Sequence, residues 1–148
     1  MILGTGIDIV DLASFRDQLA DGASGFVVGT FTAGERADAE TRSSGDPARH
    51  LAARFAAKEA FVKAWSGARW GQGPPMQDPA QTDLREIEIV NDEWGRPTIA
   101  LHGEVARWLS GAPGGTPQIH TSLSHDGGFA CAMVVLEARG SLGSQGET

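Results

Sequence analysis

The stretch Arg54-Phe55-Ala56-Ala57-Lys58-Glu59-Ala60-Phe61-Val62-Lys63 sets one carboxylate among three cations. Its pattern reads as helix, and at about 100° per residue Glu59 and Lys63 share a flank one turn apart. Such a cluster suits an anionic ligand held partly through a metal. A second carboxylate, Asp8 in Gly6-Ile7-Asp8-Ile9-Val10, lies far away in sequence, near the end of an expected strand. Period-two alternation puts it on the face opposite Ile7 and Ile9. Mg²⁺ typically takes one or two protein carboxylates and completes its octahedron with waters and substrate phosphates. Plainer alternatives stand beside this reading. Glu59 and Lys63 could be a solvent-facing pair worth about 0.3–0.5 kcal/mol. Asp8 could cap the helix that follows, although Asp11 suits that role better.

Arg54 and Lys58 fall toward the apolar stripe of the same helix. There a cation either runs its stem along the core edge or lines a pocket for an anion. Two further motifs are weak. Gly4-Thr5-Gly6 lacks the third glycine and the βαβ unit of a dinucleotide site. Ser122-Leu123-Ser124-His125 is poor nucleophile–base geometry, since adjacent residues at a strand end point apart. His125 reads better as a contact to a phosphate.

These residues need elements to hold them. Residues 2–10 predict a strand leading into a short helix near 11–20. Thr32 and Glu35 form a capping box for a helix over 32–42. Asp46 and Pro47 give the cap and first turn of a long helix reaching about Trp65. On it Leu51, Phe55, Val62 and Trp65 make the expected core stripe. Ala52, Ala56 and Ala60 leave the flank beside Glu59 without bulk, open to close approach by a ligand or another chain. Residues 67–83 are a Gly/Pro-rich loop long enough to be functional. Glu86–Val90 pairs with Pro97–Leu101, a short helix covers Glu104–Leu109, and Gln118–Ser124 pairs with Phe129–Glu137 through the loop His125–Gly128, whose Asp-Gly step signals a turn. The fold class is α+β: one long central helix with short helices packed on antiparallel β-hairpins. A single domain over 1–139 is expected, with 140–148 a disordered polar tail.

Composition narrows the function. Hydrophobic residues are 41% of the 148, as in a soluble globular chain. The single Cys131 excludes an internal disulfide and, lying in an apolar run, reads as a buried structural thiol. No stretch is long and apolar enough for a membrane span and no leader pattern opens the chain, so a cytoplasmic protein is expected. The net charge of −7 argues against nucleic-acid binding. Residues 36–69 nevertheless carry seven cations against four acids. A basic island on an acidic body fits a small polyanion better than a long one.

Three motifs in order, Gly6-Ile7-Asp8-Ile9-Val10, Arg54–Lys63 and Ser122-Leu123-Ser124-His125, together with Phe31-Thr32 and Glu35, resemble the bacterial holo-[acyl-carrier-protein] synthases. The resemblance runs from about Ile2 to Glu137. This family of 4′-phosphopantetheinyl transferases moves the phosphopantetheine arm of coenzyme A onto a serine of an apo acyl carrier protein. It releases adenosine 3′,5′-bisphosphate and serves fatty acid biosynthesis. The resemblance implies Mg²⁺ held by Asp8 and Glu59 on the coenzyme A pyrophosphate, with Lys63 contacting that group. It implies Arg54, Lys58 and His125 among the coenzyme A contacts, Arg54 and His125 on the adenosine 3′-phosphate, and Glu35 as a further matched position. The base is Glu59, directly or through a metal-bound water. It implies homotrimers with the active site between subunits, which the alanine flank fits. Ser14 stands where the family often has an arginine facing the carrier, with Asp11, Asp17 and Asp21 close by, so the docking face departs from the usual one. Ser66 likewise replaces a frequent glycine. A metal-dependent hydrolase using the same acids, and a non-enzymatic coenzyme A-binding module, are the rival readings.

Overall fold

Asp46 starts the element from which the rest of the molecule hangs. Its carboxylate accepts from the Arg49 N–H at 3.3 Å, Pro47 occupies the first turn, and helix α4 then runs from Pro47 to Ala68. The computed structural model describes residues 1–22, 25–42, 45–73, 82–112 and 114–139. The expected tail over 140–148 and the centre of the 67–83 loop, residues 74–81, lie outside the described residues. Before α4 come strand β1 (Ile2–Asp11) and helices α1 (Leu12–Ala20), α2 (Phe26–Thr30) and α3 (Ala33–Arg42). After it come β2 (Ile87–Asn91), β3 (Pro97–Leu101), α5 (Gly103–Ser110), β4 (Gln118–Asp126) and β5 (Phe129–Glu137). The architecture is α+β, as the pattern of elements predicts.

Strands β1, β5 and β4 form one antiparallel sheet in that order, and β2 pairs with β3 in a second. In the first, Asp8 lies opposite Ala132 and Ile7 opposite Met133. The inner face of this sheet packs on α4. Small side chains dominate the contact: Ala52, Ala56, Ala60 and Ala64 have no exposed surface, and Ala130, Ala132, Val134 and Leu136 cover them from β5.

The alanine flank is therefore core, not an open surface. A Cβ placed on Gly6 would sit 1.9 Å from the Ala60 carbonyl oxygen, and one on Gly4 2.1 Å from that of Ala64. Glycine at these two positions lets β1 press directly on the helix backbone. Leu51 and Trp65 of the expected stripe are buried, but Phe55 and Val62 are only partly so. The densest packing follows the residues small enough to admit a strand.

Sequence patterns place the caps correctly. Asp11 caps α1 through Ser14 N–H at 2.8 Å. The Thr32–Glu35 box closes reciprocally, Thr32 N–H donating to Glu35 Oε2 at 3.0 Å and Glu35 N–H to Thr32 Oγ1 at 3.1 Å. Helix α2 carries no cap or periodicity to announce it, and Phe26 holds it through edge-on rings of Phe15 and Phe31. Strand β4 runs two residues past its expected end at Ser124, since Asp126 pairs with Phe129, and the chain turns at Gly127-Gly128 inside the expected His125–Gly128 loop, with Gly127 at a positive φ of 53°. Cys131 is half-buried on the outer face of the sheet, opposite Ile9 and Ser124, instead of in the core.

Candidate active site

The outward alternation of β1 turns Ile7 and Ile9 to solvent and Asp8 toward α4. There it meets Lys63, whose ammonium donates to Asp8 Oδ1 at 2.7 Å and to the Ile7 carbonyl at 3.1 Å. Glu59 stands one turn before Lys63. Burial pushes the Glu59 carboxyl above the ordinary glutamate range, the nearby charge of Asp8 pushes it further, and Lys63 opposes both. Asp8 and Glu59 line one cleft of about 420 Å³ together with Asp11, Ser14, Gln18 and an apolar floor that includes Phe15 and Phe55. Two acids fifty-one positions apart in sequence thus share a single cavity.

The donor set fits a divalent ion of the Mg²⁺ kind. Two carboxylates converge in a half-buried place where they repel each other, and the cation now balancing them is a lysine with a half-exposed side chain. No group of three or more His, Cys, Asp or Glu residues among the described residues could hold a metal. An ion here must take its other ligands from water or from a bound molecule, as Mg²⁺ at phosphate sites does.

A second cleft, of about 340 Å³, opens on the other side of α4. Arg54 and His125 line it, with His50, Asn91, Ser124 and the β2–β3 turn at Gly95 and Pro97. Arg54 is nearly buried, forms an ion pair with Asp38, and donates to the His50 carbonyl at 3.2 Å. Asn91 Nδ2 donates to the same Asp38 at 2.8 Å, which fixes the rim. The His50 and His125 rings lie 6.3 Å apart, edge to face. Burial lowers the His50 pKa, and the Arg54 charge lowers it again. This cleft offers a guanidinium, two imidazoles and an amide to an anion. Sequence reasoning found Arg54 and His125 but missed His50 and Asn91. His50 could have been read from its position one turn before Arg54; nothing local marks Asn91.

Lys58 is not in either cleft. It has no exposed surface, and its three protons go to Glu35 Oε2 at 2.9 Å, the Leu84 carbonyl at 2.9 Å and the Ile87 carbonyl at 2.6 Å. Burial lowers its pKa against the opposing pull of Glu35. Glu35 also accepts from Ile89 N–H at 2.9 Å through its other oxygen. With every donor committed, Lys58 has none left for a ligand, which corrects its expected place among the coenzyme A contacts. The Glu35–Lys58 pair is a buried strut joining α3, α4 and β2.

A long helix is crossed by a glycine-lined strand, with an acid pair on one side and a cation-lined cleft on the other, an arrangement whose chemistry suits a phosphorylated ligand. The sequence model of the 4′-phosphopantetheinyl transferase superfamily matches residues 4–133, and the chain belongs to that family of transferases. It is 46% identical over 136 residues to the holo-[acyl-carrier-protein] synthase of Mycobacterium ulcerans, covering 92% of this chain and 97% of the relative. Against the Mycobacterium tuberculosis protein of the same name the identity is 46% over 137 residues, covering 93% and 98%. Among solved structures, a Chronobacterium ammoniagenes ACPS–CoA complex superposes with a TM-score of 0.83 at 40% identity, covering 92% of this chain and 97% of that one. The Mycobacterium tuberculosis acyl carrier protein synthase superposes with a TM-score of 0.71 at 44% identity, covering 94% and 100%.

Proposed function

We propose that this chain transfers the 4′-phosphopantetheine group of coenzyme A to a serine of an apo acyl carrier protein, releasing adenosine 3′,5′-bisphosphate, with Mg²⁺ held by Asp8 and Glu59. The convergence of those two acids in one cleft carries the reading. Relatives named for this activity span nearly the whole chain, and a related structure is described as a complex with CoA.

Each residue then has a task. Arg54 and His125 hold the adenosine 3′-phosphate, with His50 and Asn91 completing that cleft. Lys63, half-exposed beside Asp8, would contact the pyrophosphate. Glu59 accepts the proton of the carrier serine as its Oγ bonds to the phosphorus bearing the pantetheine arm. The bond from that phosphorus to the bridging oxygen breaks, and the electron pair leaves on adenosine 3′,5′-bisphosphate. When bound, Mg²⁺ supplies charge neutralisation for the phosphate oxygens.

The exposed apolar face of the first sheet supports the expected homotrimer. Ile7, Ile9, Phe129 and Met133 are each half or more exposed on its outer side. Burying this face between copies would set a neighbour against Ile7 and Ile9, which flank Asp8 in β1, and so bring a second subunit beside the acid cleft. No helix among the described residues is long and apolar enough to cross a membrane, and the protein acts in the cytoplasm.

The reading is tested by incubating an apo carrier protein with coenzyme A and Mg²⁺ and weighing the product by mass spectrometry. A covalent gain of one phosphopantetheine is expected, lost on chelation of the metal. Coenzyme A cleaved with no carrier labelled would favour a hydrolase instead.

A further inference from the structure

A further pocket, of about 230 Å³, lies at the C-terminal end of α4, and the transfer reaction gives it no task. Leu3 of β1, Trp65 and Ala68 of α4, and Ala112 beyond α5 make its apolar walls, and none of them lines either cleft described above. Trp65 is only 3% exposed, and its indole N–H is sealed from water with no acceptor among the described residues. A buried donor left unpaired is costly, and native proteins keep few of them. Arg69 brings a charge to the same lining. Its guanidinium lies over the Trp65 ring, 5.9 Å from the ring centre, while its Nε–H donates to the Gly73 carbonyl at 3.3 Å. The carbonyl end of α4 by itself disfavours an anion here, so the guanidinium decides the charge the pocket accepts. Size narrows the choice further. An apolar cavity of about 150 Å³ holds one benzene ring, so this pocket takes a body of about six to eight carbons.

We propose that this pocket binds a medium-chain carboxylate. The carboxylate accepts from the Trp65 indole N–H and pairs with Arg69, and the tail lies against Leu3, Ala68 and Ala112. A guanidinium with a second donor beside an apolar chamber is complementary to an acid carrying a short hydrocarbon chain, and to neither an amine nor a bulky polar ligand. The walls belong to β1 and α4, the two elements whose contact sets Asp8 beside Glu59, so an occupant braces that joint. The site stands independently of the transferase reading.

The test titrates octanoate into the full chain by calorimetry, with octanamide and octylamine as probes of the charge, and follows the indole N–H resonances by NMR. Octanoate should bind at one site per chain and move the Trp65 resonance, identified by its loss in Trp65→Phe. Octylamine should bind at least about tenfold more weakly. Arg69→Met should weaken octanoate by about tenfold and leave octanamide unchanged, whereas Trp65→Phe should weaken both. Ala112→Leu, which fills the pocket, should abolish binding while circular dichroism shows the parent fold. Arg69 is the decisive position if Trp65→Phe fails to fold, since its side chain is only half-buried. No heat and no shifted indole signal at millimolar octanoate would overturn the proposal. Equal affinity for octylamine would do the same. So would octanoate binding that survives both Arg69→Met and Ala112→Leu, which would move the acid to an exposed apolar face such as that at Ile7 and Ile9.

Discussion

At the scale of single residues, two buried or half-buried carboxylates in this chain have opposite duties. Glu35 accepts through both oxygens, from Thr32, Ile89 and Lys58, and the pair it makes with Lys58 is sealed from water. Glu59 is held beside Asp8 with Lys63 offsetting only part of the repulsion, so its proton affinity is raised. The first arrangement stabilises and the second stores a capacity to bind. Removing one member of a buried ion pair leaves the other uncompensated and costs about 3–5 kcal/mol. Lys58→Met should therefore lower the unfolding free energy by about that much in a denaturant titration, because Glu35 keeps its charge in the core. A change under about 1 kcal/mol would show that the strut contributes little. In the sequence Lys58 is one of several cations on one helix, a pattern that groups it with the ligand contacts. Only the fold reveals that the Leu84 and Ile87 carbonyls wait for its protons.

At the scale of elements, the decisive contact is between β1 and α4. The glycines at 4 and 6 and the alanines at 56, 60 and 64 are one device, a strand laid on a helix with no side chains between them. It brings Asp8 to Glu59. Each half was visible in the sequence, but the glycines looked like a fragment of a phosphate loop and the alanines like an open flank. Neither pattern states its partner, since non-local packing leaves no local periodicity. Caps were legible because their bonds span three residues, as at Asp11, Thr32 and Asp46. Gly6→Ala would drive a Cβ to 1.9 Å from the Ala60 carbonyl oxygen. Backbone must move, so the variant should lose about 3 kcal/mol or more and its activity with it. Gly67→Ala, which meets nothing within 4 Å, is the control and should fold normally. Equal stability of the two variants, measured by thermal unfolding, would contradict the close approach.

At the scale of the whole molecule, the first sheet is covered on one face by α4 and, among the described residues, bare on the other. Ile7 and Ile9 are 67% and 66% exposed, and Phe129 and Met133 extend the patch across β5. A patch of this kind in a soluble protein marks an association surface. Ile9→Lys with Met133→Lys should convert a trimer into monomers in sedimentation analysis, and transfer activity should fall if neighbouring subunits complete the site. A wild-type chain that sediments as a monomer would contradict the trimer. The exposed residues alternate with the buried ones along β1, so the bare face was present in the sequence. Its emptiness depends on which side α4 takes.

Asp8 and Glu59 must share one ion, and calorimetric titration of Mg²⁺ in the presence of coenzyme A measures that directly. One site per chain is predicted, weakening as pH falls toward the raised pKa of Glu59 because protons then compete for its carboxylate. Asp8→Asn and Glu59→Gln should each abolish the titration while circular dichroism shows an intact fold. Mg²⁺ binding of undiminished affinity in either variant would contradict it.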